Sequence, residues 1–175
     1  MIGEKVWVPD DVLIWKLSTI CGLPNGGNLE IEDEKGKKIL AKSMCHEIDS
    51  SHLDDSCTNI CSLLKIHEAP LLDLLRRRFI SDLFYSYAGD ILISFNPYKN
   101  MTAAYGQASS YLNLDENRSP EVERLPPHVF AIASNALRSL VFNSSMMHTK
   151  KDSEMHVNQS VLVSGESGAG KVSTF

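Results

Sequence analysis

Gln159-Ser160-Val161-Leu162-Val163-Ser164-Gly165-Glu166-Ser167-Gly168-Ala169-Gly170-Lys171 runs from a short apolar stretch through a glycine-rich turn to a lysine. That order predicts a strand, a loop and the start of a helix. Gly165, Gly168 and Gly170 admit backbone conformations closed to other residues, so the loop's N–H groups can converge on an anion. Lys171 would reach the outer phosphates as a point charge, and the helix it opens would turn its positive end toward them. The plain alternative is a glycine-rich turn that holds no ligand. The apolar stretch directly ahead of the loop favours phosphate binding.

The spacing is Gly-x4-Gly-Lys, the Walker A pattern. That pattern continues with Ser or Thr, whose hydroxyl holds magnesium. Val172 stands there instead and offers no oxygen, and Ser173 comes one position later.

Composition bounds the rest. The chain has 175 residues, enough for one domain or for a small one joined to part of a larger one. A hydrophobic content of 43% supports a packed core. A net charge of −5 leaves no electrostatic footprint for nucleic acid or an anionic membrane. Met1 to Lys5 leads straight into strand-like sequence without a signal-peptide core, and no apolar run approaches the ~20 residues of a membrane span. Cys21, Cys45, Cys57 and Cys61 are irregularly spaced, with Cys57 and Cys61 on one face of an expected helix. Zinc binding through them with His46, His52 or His67 would need a paired Cys-x2-Cys knuckle that is missing, and reduced structural thiols in the cytosol fit better.

Residues 1–50 read as β. Val6-Trp7-Val8 and Val12 to Leu17 are expected strands around Pro9-Asp10-Asp11. Leu23-Pro24-Asn25-Gly26-Gly27-Asn28 is a turn, and Leu29-Glu30-Ile31-Glu32 alternates apolar with acidic before Ile39-Leu40-Ala41. Short strands with regular turns suggest a small barrel or sheet, with no catalytic constellation in it. His46 to Ser56 is polar and acidic, and 51–56 reads as a linker. Ile60, Leu63, Leu64 and Ile66 predict an apolar helical face, and Pro70 the start of a second helix carrying Leu71 to Phe84. Arg76-Arg77-Arg78 lies inside it. Consecutive residues point in different directions on a helix, so a solvated face with internal ion pairs is expected rather than a phosphate site. Tyr85 to Phe95 reads as two strands around Ala88-Gly89-Asp90, residues 107–112 as a short helix, and Pro126-Pro127-His128 as the opening of a longer one. Asn143 to His156 is expected to be a loop.

Several of these stretches together resemble the N-terminal part of a myosin motor. Gly165 to Lys171 matches the family's phosphate loop residue for residue, with its Gln-Ser-(apolar)3-Ser lead-in at 159–164. Pro126-Pro127-His128-Val129-Phe130-Ala131 is similar to the family's Pro-Pro-His-(apolar)-Phe-Ala helix. Glu68-Ala69-Pro70 and Arg78-Phe79 resemble the segment leading to a Tyr-x-Tyr-x-Gly hairpin, here 85–89, and Asn96-Pro97-Tyr98-Lys99 resembles the purine-binding loop. Trp7-Val8-Pro9-Asp10 with Trp15 is similar to the small barrel of the Src-homology-3 type that precedes many myosin motors.

The resemblance implies an α/β P-loop mechanoenzyme that hydrolyses ATP with magnesium while moving on actin filaments, cytoplasmic and cytoskeletal. It divides the chain into a small β-barrel at 1–50, a linker at 51–56 and the leading part of the motor domain at 57–175. It assigns the ATP phosphates to Gly165, Glu166, Ser167, Gly168, Ala169, Gly170 and Lys171, and the adenine side to Asn96, Pro97 and Tyr98, with Tyr105 as that loop's second tyrosine. No residue of this sequence is assigned a catalytic or metal-binding role. The family has Thr where Val172 stands, and the sequence holds no switch I, switch II, actin-binding cleft, converter or light-chain-binding helix. Phosphoryl transfer depends on positioning and electrostatics, so little or no ATPase activity is expected from this chain alone. The rival expectation is a truncated or degenerate, non-enzymatic remnant acting as a nucleotide-binding or interaction module. A different P-loop kinase or GTPase would leave 96–99 and 126–133 unexplained.

Overall fold

The computed structural model describes residues 2–24, 26–101, 108–111, 125–147 and 158–171. They fall into two compact units, Met1–Ser81 and Asp82–Phe175.

The first unit is built on an antiparallel sheet of β1 (Lys5–Asp10), β2 (Ile14–Gly22), β3 (Asn28–Asp33), β4 (Gly36–Ala41) and β5 (His46–Glu47), in the order β4-β3-β2-β1-β5. Side chains alternate across a strand. Val6, Val8, Ile20, Leu29 and Ile31 therefore share one buried face, with Leu40 and Cys45 packed against it. Each such side chain stabilises by about 1.5–3 kcal/mol. Trp7 points to the opposite face, where His52 covers it.

The turn from β1 to β2 is held by Asp10, whose Oδ1 accepts the N–H groups of Val12 at 2.9 Å and Leu13 at 2.8 Å. These two bonds hold the Asp10 carboxyl below its ordinary pKa. They also take Val12 and Leu13 out of the expected second strand, which runs from Ile14 to Gly22 instead. The register between β2 and β3 shifts at Ile20 and Gly22. A Cβ on Gly22 would come within 2.3 Å of the Glu30 carboxylate, the movable end of that side chain, and 3.2 Å of its Cβ, so a larger residue at this irregularity would displace the Glu30 side chain.

Within residues 51–56, His52 is buried while 53–56 are exposed. A 3-10 turn at Ser50–Leu53 is capped by Asp49 and carries the fully buried His52. The helix expected from Cys57 onward is absent. Only a 3-10 turn at Ile60–Ser62 forms, capped by Asn59, with Ile60 and Leu63 buried and Leu64 and Ile66 exposed. Asn59, Cys57 and Ser62 make local side-chain bonds there that compete with a helical ladder, and Lys65 takes a left-handed φ of +47°. Cys57 is buried and Cys61 exposed, so they share no helix face.

Helix α1 (Glu68–Ile80) starts two residues before the expected Pro70, because His67 Nδ1 accepts the Ala69 N–H at 3.3 Å and caps it. Proline is tolerated in that first turn. The helix stops at Ile80, leaving Leu83 and Phe84 outside it. Its three arginines do more than solvate a face. Arg76 Nη2 donates to the Leu13 carbonyl at 2.9 Å. Arg77 pairs with Asp73 at 2.8 Å and with Asp55, and donates to the His52 carbonyl at 2.7 Å. Arg78 is buried and donates to the Cys57 carbonyl at 3.2 Å. A rotation of about 100° per residue sends each to a different neighbour.

The second unit contains the hairpin β6 (Tyr85–Ala88) and β7 (Ile91–Ser94), closed by Gly89-Asp90 with φ +61° at Gly89. Positive φ at the first of two turn residues suits glycine and matches the strand twist. A 3-10 turn covers Ala108–Tyr111, within the expected 107–112 helix. Helix α2 (Val129–Met147) buries Val129, Ala131 and Ser134. It runs through residues 143–147, which had been expected to be loop. The Tyr87 hydroxyl donates to the Leu125 carbonyl at 3.0 Å, just ahead of this helix.

Residues 158–166 have no regular secondary structure, so the expected strand at 161–163 is not formed. A strand needs a neighbour for its backbone groups. Among the described residues of this unit, β6 and β7 pair only with each other.

Candidate functional site

Two loops of the second unit converge on one carbonyl. The first follows β7. Asn96 Oδ1 accepts the Tyr98 N–H at 3.0 Å, an Asx-type turn that leaves Tyr98 at φ +50°. The second is the glycine-rich stretch. Asn96 Nδ2 donates to the Gly168 carbonyl at 2.9 Å, and the Tyr98 hydroxyl donates to the same oxygen at 3.5 Å. These contacts span 72 and 70 positions of sequence.

The glycine-rich loop alternates in hand. Gly168 has φ +81° and Gly170 φ +84°, while Ala169 between them stays outside that region. Alternation of this kind is the backbone pattern from which anion-binding turns are built. The Ala169 N–H donates to the Glu166 carbonyl at 3.2 Å, tightening the turn. Lys171 curls back over the loop, its Nζ donating to the carbonyls of Gly165 at 2.7 Å and Glu166 at 2.8 Å. A Cβ on Gly165 would make a tight 3.2 Å approach to the Ala169 Cβ and an ordinary 3.8 Å contact with the Lys171 Cγ. Most of the loop is exposed, with Ala169 and Gly170 half-buried.

Asn96, Pro97 and Tyr98 are thus brought to the glycine-rich loop. Pro97 is half-buried between its two neighbours, and Ser167 stands exposed at the turn. Tyr105, Val172 and Ser173 lie outside the described residues. Among the described residues no group of three or more His, Cys, Asp or Glu side chains is arranged to hold a metal ion.

The family profile described as Myosin head (motor domain) matches residues 57–174. The chain belongs to the myosin head family. It is 31% identical over 178 residues to Myosin-13 of Arabidopsis thaliana, covering 99% of this chain and 10% of that protein. It is 34% identical over 172 residues to the Myosin-H heavy chain of Dictyostelium discoideum, covering 98% of this chain and 9% of that one. It is 31% identical over 173 residues to Unconventional myosin-VI of Bos taurus, covering 97% and 12%. The chain spans about a tenth of the length of the curated relatives it matches. No helix among its described residues is long and apolar enough to cross a membrane.

Three features around these loops are not announced by the myosin motifs. Lys99, next to Tyr98, does not serve the glycine-rich loop. Its Nζ pairs with Asp82 at 2.6 Å and lies 5.8 Å from the Phe84 ring centroid. His128 of the Pro-Pro-His motif is a buried packing residue. Its ring meets Tyr85, Tyr111 and Phe130 at centroid distances of 4.7, 5.2 and 4.5 Å. Its Nδ1 accepts the Phe130 N–H at 3.1 Å at the start of α2, and burial pushes its pKa below the ordinary histidine value. The third is the use Asn96 makes of its amide. The residue pattern marks Asn96 as a loop position and says nothing of its partner, because a hydrogen bond to a backbone carbonyl leaves no trace in the identity of the accepting residue.

Proposed function

We propose that this chain is the ATP-binding leading part of an actin-based myosin motor. In this reading Gly165, Glu166, Ser167, Gly168, Ala169, Gly170 and Lys171 hold the phosphates, through loop N–H groups and the Lys171 ammonium. Asn96, Pro97 and Tyr98 stand on the adenine side, with Tyr105 completing that loop. The observation that carries the reading is the pair of hydrogen bonds from Asn96 and Tyr98 to Gly168, which joins a purine-type loop to a phosphate-type loop. The first-unit sheet is read as the small barrel of the Src-homology-3 type. By resemblance the chain divides into 1–50, a connection at 51–56, and the motor part at 57–175. Movement on actin and a cytoskeletal location belong to the whole protein of which this is a part.

Magnesium does not fit the residues present in the usual way. Val172 supplies no hydroxyl, so nothing in the proposed function is routed through the metal. That same residue favours a second reading, a non-enzymatic remnant that binds nucleotide without turning it over. Isothermal titration of the full chain with ATP tests the first claim, and saturable binding that Lys171→Ala weakens is expected. Absence of binding, or binding indifferent to Lys171, overturns it. A steady-state ATPase assay on the same protein then separates the readings, with turnover favouring the motor and binding without turnover favouring the remnant.

A further inference from the structure

The peptide unit joining Gly168 to Ala169 is held at both ends. Its oxygen accepts from Asn96 Nδ2 at 2.9 Å, and its N–H donates to the Glu166 carbonyl at 3.2 Å. In a trans peptide these two groups point in opposite directions, so fixing both fixes the plane. Gly168 at φ +81° is the residue whose conformation that plane completes. The Asn96 amide is itself fixed, because its Oδ1 accepts the Tyr98 N–H at 3.0 Å and so turns Nδ2 toward Gly168. A side chain with a donor at one corner and an acceptor at the other is needed here. Aspartate lacks the donor, and serine is too short to reach across.

Resting on the phosphate-loop reading above, we infer that Asn96 is a positioning residue for the phosphate loop. It pins the 168–169 peptide and thereby sets the direction of the loop's N–H groups, and one N–H and the oxygen of its amide are engaged by the protein backbone rather than by the base of a nucleotide. Recognition of the base then falls to other groups of the 96–98 loop. The consequence is specific. Losing the Asn96 amide harms binding of any polyphosphate, whether or not a base is attached.

The test uses the full 175-residue chain with Asn96→Ser and Asn96→Ala, and two probes, ATP and inorganic tripolyphosphate. Serine is uncharged and can still cap the Tyr98 N–H, so it removes the contact to Gly168 while keeping the turn. Expected is a loss of about tenfold in affinity, the scale of one hydrogen bond, by the same factor for both probes. In the ligand-free protein the 15N–1H resonances of Gly168 and Ala169 should move, while those of β6, β7 and α2 stay in place. A loss confined to ATP, with tripolyphosphate unchanged, makes Asn96 a base contact and overturns the inference while leaving the phosphate reading intact. Unmoved Gly168 and Ala169 resonances overturn it as well. If the unaltered chain binds neither probe, the phosphate reading itself fails and the inference falls with it. Tyr98→Phe serves as a second variant. Its hydroxyl makes the longer contact to the same oxygen at 3.5 Å, so a smaller loss, again equal for both probes, is expected.

Discussion

The indole Nε1–H of Trp7 donates to Nδ1 of His52 across 3.3 Å, and neither residue is more than 1% exposed. The same Nδ1 accepts the Asp49 N–H at 3.3 Å, and Nε2 lies 2.6 Å from the Leu64 carbonyl. Two donors at Nδ1 and a carbonyl at Nε2 select the Nε2–H tautomer. One imidazole therefore ties together the buried Trp7 of β1, the half-buried Asp49 that caps the 3-10 turn, and the backbone of the exposed Leu64 before α1.

His52→Ala leaves those partners unpaired. A buried group without its hydrogen bond costs about 1–3 kcal/mol. The variant should lose about 3 kcal/mol or more of first-unit stability. Trp7 and Trp15, the two tryptophans of the sequence, both lie in that unit, so denaturant unfolding followed by tryptophan fluorescence reads the loss directly. A change below about 1 kcal/mol would show that solvent replaces the imidazole freely.

His67 gives the first unit a dependence on pH. Burial, then the charge of His46 stacked 4.5 Å away, lower its pKa, against the Glu47 backbone contact that raises it and with His52 adding to the lowering. A histidine with a depressed folded pKa binds fewer protons folded than unfolded. Its contribution is full above the unfolded pKa of about 6.5 and is lost as pH falls through the folded value. Stability should therefore decline as pH drops below about 6.5. Glu47 and Asp49 have pKa values lowered by Lys65 and by the Ser51 N–H respectively, so they act only near pH 4 and below. His67→Asn keeps an N-cap for α1 and should flatten the profile as pH falls below about 6.5. An unchanged slope in that variant assigns the effect elsewhere.

The first unit was legible where turn residues and alternation agree. Asp10 and Gly26-Gly27 mark turns, and Leu29 and Ile31 bury while Glu30 faces away. Its failures share a cause. Leu63 buries while Leu64 and Ile66 do not, because side-chain bonds from Asn59 and its neighbours set the path of 57–66 and apolar spacing does not. The β5 strand is two residues long and forms by pairing with Val6 and Trp7, a partner that local sequence does not announce. For the candidate site, the turn at Gly168 and Gly170 was legible from the glycine spacing. The amide-to-carbonyl contact between Asn96 and Gly168 was not, since its acceptor is backbone.

Two glycine substitutions should weaken polyphosphate binding for different reasons. Gly168→Ala meets nothing within 4 Å, yet must hold φ +81°. That conformation costs a residue with a Cβ about 1–2 kcal/mol, so affinity should fall about tenfold. Gly165→Ala has no such strain but crowds the Ala169 Cβ at 3.2 Å and sets a methyl in contact with the Lys171 stem. It should shift the Lys171 side-chain resonances, which Gly168→Ala should leave alone. Tripolyphosphate titration with NMR of both variants checks the distinction, and equal Lys171 shifts would count against it.

Val161, Leu162 and Val163 are 51, 92 and 42% exposed. An unpaired apolar stretch of this kind invites pairing between molecules. Leu162→Lys should reduce concentration-dependent light scattering of the chain without lowering its unfolding midpoint. Scattering that is insensitive to this change would place self-association elsewhere.

On the proposed reading, nucleotide affinity of this chain should change little when magnesium is chelated, because Val172 provides no ligand oxygen and the loop N–H groups and Lys171 would act without the metal. Insertion of Thr between Lys171 and Val172 in a full-length motor should restore magnesium-dependent ATP turnover. Strong magnesium dependence without the insertion would show that another group replaces the missing hydroxyl.

Helix α1 lies within the stretch shared with other myosin heads, yet its fastenings run to the N-terminal sheet and its flanking turns. Glu68 accepts from the Trp15 indole at 3.0 Å, Arg76 reaches Leu13, and Arg77 reaches His52. The natural seam for exchanging modules between myosins therefore falls near Ser81 rather than at the start of the shared region. A chimera joined before residue 57 would part the helix from the partners that hold it, and one joined after Ser81 would carry helix and sheet across together.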